Sequence, residues 1–342
     1  MGTVFGGAGG RANRGCAVTN VVVGVDLGGT SLLAAAVAED GRVLGRAKRK
    51  TRASRGAKDV ISRIEETVHE ALSAASLTIR DAAAVGVGVP GPLDPVAGVV
   101  HCCPNLGPSW NELPLAQLLG GALGVPVAVE NDVNVGAVGE YAYGAGRGAH
   151  DLLAIFVGTG IGGGLILDGR LRQGARFSAG EVGHMVLQAG GPACGCGQLG
   201  HAEALASRTA IERDVRAAIR GGRRSVVSEL MDLDKGRLMT AGIIAQALQQ
   251  GDEVVAEAVR SAQHYLGLLV SACVNLIDPE VVVIGGGLTE RMGEVYLEPV
   301  RTVARQHYVN QSDVERVRIV PAALGDLSGA VGAAVVARER AA

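Results

Sequence analysis

The stretch Val21-Val-Val-Gly-Val-Asp26-Leu-Gly-Gly-Thr30 is a short β-branched apolar run that stops at an acidic residue and a glycine turn. Two further apolar segments follow, Leu32–Val37 and Arg42–Lys50, separated by the turn signal Glu39-Asp40-Gly41. Together they predict a three-stranded meander. A glycine turn of the dinucleotide or P-loop kind leads into a helix, and a P-loop carries a lysine; here no lysine follows. Ser31–Val37 alternates poorly and is compatible with a helix, but the Asp40-Gly41 turn and the strand beyond it favour a hairpin.

Working outward, Asp59–Leu72 has helical spacing at Val60, Ile61, Ile64, Val68 and Leu72. Ala84–Val89 reads as a buried strand closed by Pro90-Gly91-Pro92, Val125–Val129 as another strand, and Val133–Tyr141 as a helix. The pattern then restarts. Asp151–Val157 is a strand ending in Gly158-Thr-Gly-Ile-Gly-Gly-Gly164, and Leu165–Leu167 is a second strand turned by Asp168-Gly169. Glu203–Arg220 and Glu253–Ile277 read as helices, Val281–Ile284 as a buried strand ending in Gly285-Gly-Gly287, Val317–Val320 as a last strand and Leu327–Arg338 as a last helix. Alternating strands and helices mean α/β with covered sheets. The halves look like copies of one unit, and two such units face to face would make a cleft. The expected division is a disordered tail at 1–20, a small α/β domain at 21–128 with a C-terminal helix at 325–340 packed back onto it, and a larger α/β domain at 129–324.

Composition limits what the chain can do. Its 342 residues suffice for two domains, and a net charge of −2 without a long Lys/Arg block argues against a nucleic-acid partner. Six cysteines in a chain this long do not make a disulfide scaffold, and Cys102, Cys103 and Cys273 lie in apolar contexts, which suggests a reducing cytoplasm. With three Phe and one Trp, the core must be built from Val, Leu, Ala and Ile. Residues 1–20 lack the apolar run of a signal peptide, and Gly6 stands where a myristoylation signal wants Ser or Thr. The most apolar stretch, Leu266–Ile277, is too short to span a membrane.

Two clusters carry chemistry. Gly180-Glu-Val-Gly-His184 is followed, nine residues on, by Cys194-Gly-Cys196-Gly-Gln-Leu-Gly-His201-Ala-Glu203. His184, Cys194, Cys196 and His201 are a zinc-type set, flanked by the carboxylates Glu181 and Glu203. A Cys194–Cys196 disulfide is a poor rival, because bridging two cysteines one residue apart needs strain. The second cluster, Glu130-Asn131-Asp132-Val-Asn134, lies at a strand end just before a helix. Asn and Asp are frequent helix caps there; at the mouth of a cleft, a carboxylate could instead take a proton from a substrate hydroxyl. Glycine turns at Gly28-Gly29-Thr30, Gly158–Gly164 and Gly285–Gly287 each follow a strand and can aim backbone N–H groups at an anion.

Taken in order, these motifs resemble the ROK family (repressor, open reading frame, kinase), and within it the sugar kinases of bacterial glucokinase type. The resemblance covers essentially all of Val21–Ala337. Asp26–Thr30 resembles the family's first phosphate loop, and Val157–His184 its spaced-glycine motif. Asn275–Gly287 is similar to its adenosine-side segment, Pro104-Asn105-Leu106 to its sugar loop and Glu130-Asn131-Asp132 to its catalytic segment. The resemblance implies an actin-like ATPase fold with two ribonuclease-H-like domains around a cleft. It implies phosphoryl transfer from ATP, with Mg²⁺, to the 6-hydroxyl of a hexose. Glucose is the first expectation, with fructose, N-acetylglucosamine and N-acetylmannosamine as alternatives. Asp132 would be the base. Asn105, Asn131, Glu181, His184 and Glu203 would join it on the sugar, and Asp26, Gly28, Gly29, Thr30, Gly158, Thr159, Gly160, Gly285 and Gly286 would line the nucleotide. His184 would serve both a structural zinc and the sugar. Two positions depart from the family pattern: His201 replaces the usual third cysteine, and Ser31 a frequent lysine. Repressor members carry a helix-turn-helix domain before the first strand, and the twenty residues ahead of Val21 are too few for one. The expected partners are hexose and ATP in a homodimer or homotetramer, with no nucleic acid and no membrane.

Overall fold

The structure, a computed structural model, describes residues 20–233 and 238–341. The expected tail therefore lies outside the described residues, Asn20 excepted. The first half runs β1 (Val21–Leu27), β2 (Ser31–Val37), β3 (Val43–Lys50), α1 (Ala57–Ala74), β4 (Ala82–Val89), the short pair β5 (Leu93–Asp94) and β6 (Val99–Val100), α2 (Leu115–Leu123), β7 (Val127–Asn131) and α3 (Asp132–Tyr143). The second half runs β8 (Leu152–Val157), β9 (Ile161–Leu167), β10 (Arg170–Leu171), α4 (Ala202–Ala206), α5 (Arg208–Arg220), α6 (Val227–Leu230), α7 (Ala241–Gln249), α8 (Glu253–Ile277), β11 (Val281–Gly285), α9 (Gly287–Met292), α10 (Glu294–Gln306), β12 (Arg318–Pro321) and α11 (Ser328–Ala341).

Each half builds one five-stranded sheet, in the orders β3-β2-β1-β4-β7 and β10-β9-β8-β11-β12. In both, three antiparallel strands are extended by two parallel ones reached through helical crossovers. The two sheets therefore share one topology, and Ser31–Val37 is a strand. Val21, Val23, Val25, Ile64 and Val85 belong to the core of the first half, and Leu153, Ile155, Leu266, Val282 and Tyr296 to that of the second.

Two boundaries differ from the sequence expectation. β7 passes through Val129 and pairs with β4 as far as Asn131, so the strand expected at Val125–Val129 begins and ends two residues later. The strand extends into polar residues because Gly88 and Val89 of β4 still offer backbone partners there. The helix expected at Glu203–Arg220 is broken at Ser207, whose backbone is extended and whose Oγ accepts from Ala210 N at 3.1 Å, capping α5. α11 packs on β1, β4 and α3. Its approach to α3 is so close that a Cβ on Gly332 would sit 1.7 Å from Val135 O, so any larger residue there would force the helices apart.

Candidate active site

In the first sheet Asp26 pairs with Gly88 and Gly88 with Glu130, which brings the carboxyl ends of β1, β4 and β7 side by side. Open α/β sheets bind ligands at that edge. Asn131 has an extended backbone, and its Oδ1 accepts from Val133 N at 2.9 Å and Asn134 N at 3.2 Å, which makes it the cap of α3. Asp132, the first helical residue, is thereby relieved of the capping role. Burial raises its carboxyl to about 6, against the Val133 N–H, which favours the charged form, while the charge of Glu181 pushes it further up. Glu130 anchors the segment from below. It is buried, its Oε1 accepts from Asn131 N and Asn134 Nδ2 at 3.0 Å each, and its Oε2 accepts from Gln173 and, at 2.7 Å, from Arg340 Nη2. Arg340 also donates to Val129 O at 2.8 Å, so the last helix holds the strand that presents Asp132.

Asp26 and Asp132 line one cleft of about 370 Å³, with Gly286 and Gly287 on the opposite wall. Sequence reasoning did not single out Lys48, Glu290 and Asp326, which line it too. Burial lifts the Asp26 carboxyl to about 7; the charges of Asp132 and Asp326 add to the rise and Lys48 opposes it. A carboxyl whose folded value lies above its unfolded 3.8 costs nothing below pH 4; its penalty grows as pH climbs to about 7 and is constant above. Asp26→Asn is therefore expected to raise the melting temperature at pH 8 and leave it nearly unchanged at pH 4. Equal shifts at both values in thermal melts would show that its charge is not strained.

Backbone geometry fixes the glycine turns. Gly28 N donates to Ser31 O at 3.0 Å, and Thr51, fully buried and absent from the sequence expectation, donates from Oγ1 to Gly28 O at 2.6 Å and from N to Thr30 O at 2.9 Å. Gly158 N closes onto Gly160 O at 2.9 Å, and Arg208 Nη2 donates to Thr159 Oγ1 at 2.8 Å. β11 ends at Gly285, Gly286 turns with φ +104°, and α9 follows. Gly28–Thr30 and Gly158–Gly160 do not line the 370 Å³ cleft. Gly29 faces Asn105, an exposed residue of the expected sugar loop, with a virtual Cβ at 3.5 Å from Asn105 Cβ. Gly160 faces Glu203: a Cβ there would lie 2.1 Å from Glu203 Oε2, which accepts from Ile161 N at 3.0 Å.

The four expected metal ligands converge. One donor atom each from His184, Cys194, Cys196 and His201 lies within 4.8 Å of all the others. The Nδ1 atoms of His184 and His201 are 3.2 Å apart, Cys196 Sγ is 3.3 Å from His201 Nδ1, and Cys194 Sγ is 3.8 Å from His184 Nδ1. Two soft sulfurs and two imidazole nitrogens at these separations fit a tetrahedral zinc, with His201 supplying the fourth donor. The other ring nitrogen of His184 turns toward exposed Glu181, at 3.9 Å from its Oε2, and Glu203 Oε1 is 3.2 Å from Cys194 Sγ. The structure thus gathers Glu181, His184 and Glu203 around the metal loop, and Asp26, Asp132 and Gly286 around the cleft.

A model of the ROK family matches residues 22–340. The chain belongs to the ROK family. The glucokinase of Thermotoga maritima is 36% identical over 319 residues, which are 93% of this chain and 98% of that one. Among solved structures, a ROK family glucokinase from Streptomyces griseus in complex with glucose and AMPPNP superposes with a TM-score of 0.81 at 34% identity, covering 94% of this chain and 100% of that one. A ROK hexokinase from Thermus thermophilus gives a TM-score of 0.77, also at 34% identity, covering 94% and 98%. The family also holds regulators: a putative xylose repressor from Caldicellulosiruptor sp. is 32% identical over 253 residues, 74% of this chain and 62% of that one. The fold of this ROK protein is the actin-like ATPase fold, its two like sheets flanking a cleft.

Proposed function

We propose that this ROK protein is an ATP-dependent hexose kinase, transferring the γ-phosphoryl group of ATP to the 6-hydroxyl of glucose. The observation that carries the reading is Asp132: a carboxylate on the cleft floor, relieved of the cap by Asn131 and tuned to about 6, where it can accept a proton near neutral pH. Near-full-length similarity to glucokinases supports glucose. Phosphoryl transfer needs positioning and charge neutralisation above all. Asp132 would take the proton of the attacking hydroxyl. Asn105, Asn131, Glu181, His184 and Glu203 would hold the other sugar hydroxyls, and the backbone amides of the three glycine turns would face the phosphates. Magnesium, a hard cation with oxygen ligands, suits the carboxylate-lined cleft, where Asp26 would orient its water; when bound it neutralises phosphate charge. A coupled ADP-release assay over hexoses and N-acetylhexosamines tests this. Glucose should give the highest kcat/KM; preference for another sugar overturns the substrate, and no sugar-dependent ADP release overturns the kinase.

The metal loop's role would be to hold His184 and Glu203 for the sugar, with zinc serving structure only. His201→Cys should keep one zinc per chain. His201→Ala should lose it and raise KM for the sugar more than KM for ATP, because the glycine turns are held independently by Thr51 and Arg208. Elemental mass spectrometry with steady-state kinetics checks both; full zinc and unchanged sugar KM in His201→Ala would remove His201 from the site. The same reading puts the enzyme in the cytoplasm as a homodimer or homotetramer acting on sugar and ATP, without nucleic acid or membrane. A net charge of −2 supports it, and among the described residues no helix is long and apolar enough to cross a membrane.

A further inference from the structure

We propose that Lys48 is the side chain that binds the phosphate chain of the nucleotide, and that Asp326 holds it in place when the cleft is empty. This rests on the kinase reading above and names a residue which that reading does not use. Lys48 stands on β3 opposite Leu33 of β2, and both line the cleft that contains Asp26 and Asp132. Among the described residues of that lining, the carboxylates are Asp26, Asp132, Glu290 and Asp326, and Lys48 is the one cation. A triphosphate entering there meets negative charge on several sides, and within the lining only Lys48 answers it with a positive one. The Lys48 ammonium donates to Asp326 Oδ2 at 3.0 Å, and the two side chains are 53% and 67% exposed. An ion pair so exposed contributes little, so a phosphate oxygen can replace the carboxylate at small cost. A lysine suits the exchange: its flexible four-carbon stem carries three donors that can follow the phosphates.

The test is calorimetric titration of ATP, without sugar, into the wild type, Lys48→Gln, Lys48→Arg and Asp326→Asn, together with melting temperatures and sugar KM. Lys48→Gln should weaken ATP binding about tenfold or more, the scale of a lost hydrogen bond to a charged group, with melting temperature and sugar KM unchanged. Lys48→Arg should restore most of the affinity, and Asp326→Asn should tighten binding up to about fivefold by releasing the ammonium. Wild-type affinity in Lys48→Gln, or a loss matched by a lower melting temperature and not rescued by arginine, overturns the assignment while leaving the kinase standing. Weaker binding in Asp326→Asn overturns the role given to Asp326. A wild type that binds no ATP overturns the kinase reading and this inference with it.

Discussion

Asp132→Asn is expected to lower kcat by about 10²–10⁴-fold, the usual contribution of a positioned general base. The helix terminus should survive, because the cap belongs to Asn131, whose Oδ1 takes the Val133 and Asn134 amides. Sugar affinity should change little, since an amide still hydrogen-bonds the hydroxyl while no longer accepting its proton. The wild type should also show kcat/KM climbing as pH rises through about 6, where burial has placed the Asp132 carboxyl. Below that value the base is protonated and idle; above it the base is charged and competent. The residual activity of the variant should lack this limb. Near-normal turnover in the variant, or the same rising limb in its profile, would leave Asp132 as an ordinary residue of a helix terminus.

Glu140→Ala is expected to cost the most stability. Glu140, on α3, is fully buried. Its Oε1 accepts from Leu324 N at 2.9 Å and Ser328 Oγ at 2.7 Å, and its Oε2 from Ala145 N and Ala323 N at 2.9 Å each. Four donors replace water around this carboxylate. Truncation leaves three backbone N–H groups without partners in a dry site, at about 1–3 kcal/mol for each group that cannot find another, while the Ser328 hydroxyl keeps Gly325 O as an acceptor at 2.9 Å. A loss on the order of 4 kcal/mol, and a melting temperature lower by on the order of 10 °C, follow. Glu140→Gln, which keeps one acceptor oxygen, should recover part of this. A melting temperature within about 2 °C of wild type in Glu140→Ala would mean that the orphaned groups find water or other partners. Since Gly325, Asp326 and Ser328 line the cleft, KM for ATP should rise with the loss.

The strands, the glycine turns and their order could be read directly because each is a local pattern: a β-branched run, then residues that permit a tight turn. The convergence of His184, Cys194, Cys196 and His201, and the place of Asp132 at a strand end before a helix, were legible for the same reason, since spacing in sequence became proximity in space. The break at Ser207 was not, because serine is tolerated inside a helix and is also a good cap, and only the chain's direction in space decides between the two. The polar end of β7 was hidden because Glu130 is buried by Arg340, a residue of the terminal helix that in sequence looks like part of a solvated surface. Lys48 and Asp326 meet across 278 positions, and Glu140 reaches Ser328 across 188. No window of sequence contains such pairs.

The last helix has a consequence for how the molecule is made. α11 covers the first sheet: Ala330, Val331, Ala334 and Ala337 share a core with Val22, Leu33 and Ala84. These partners are separated by about 250 to 315 residues, so the contact order of the first unit is high. On the ribosome that unit is the first to emerge, yet its β1–β4 face stays uncovered until translation has passed the second unit entirely. Vectorial, unit-by-unit folding is thus denied to the amino-terminal half, and the nascent chain carries an apolar sheet face for most of its synthesis, the interval in which chaperones engage such surfaces.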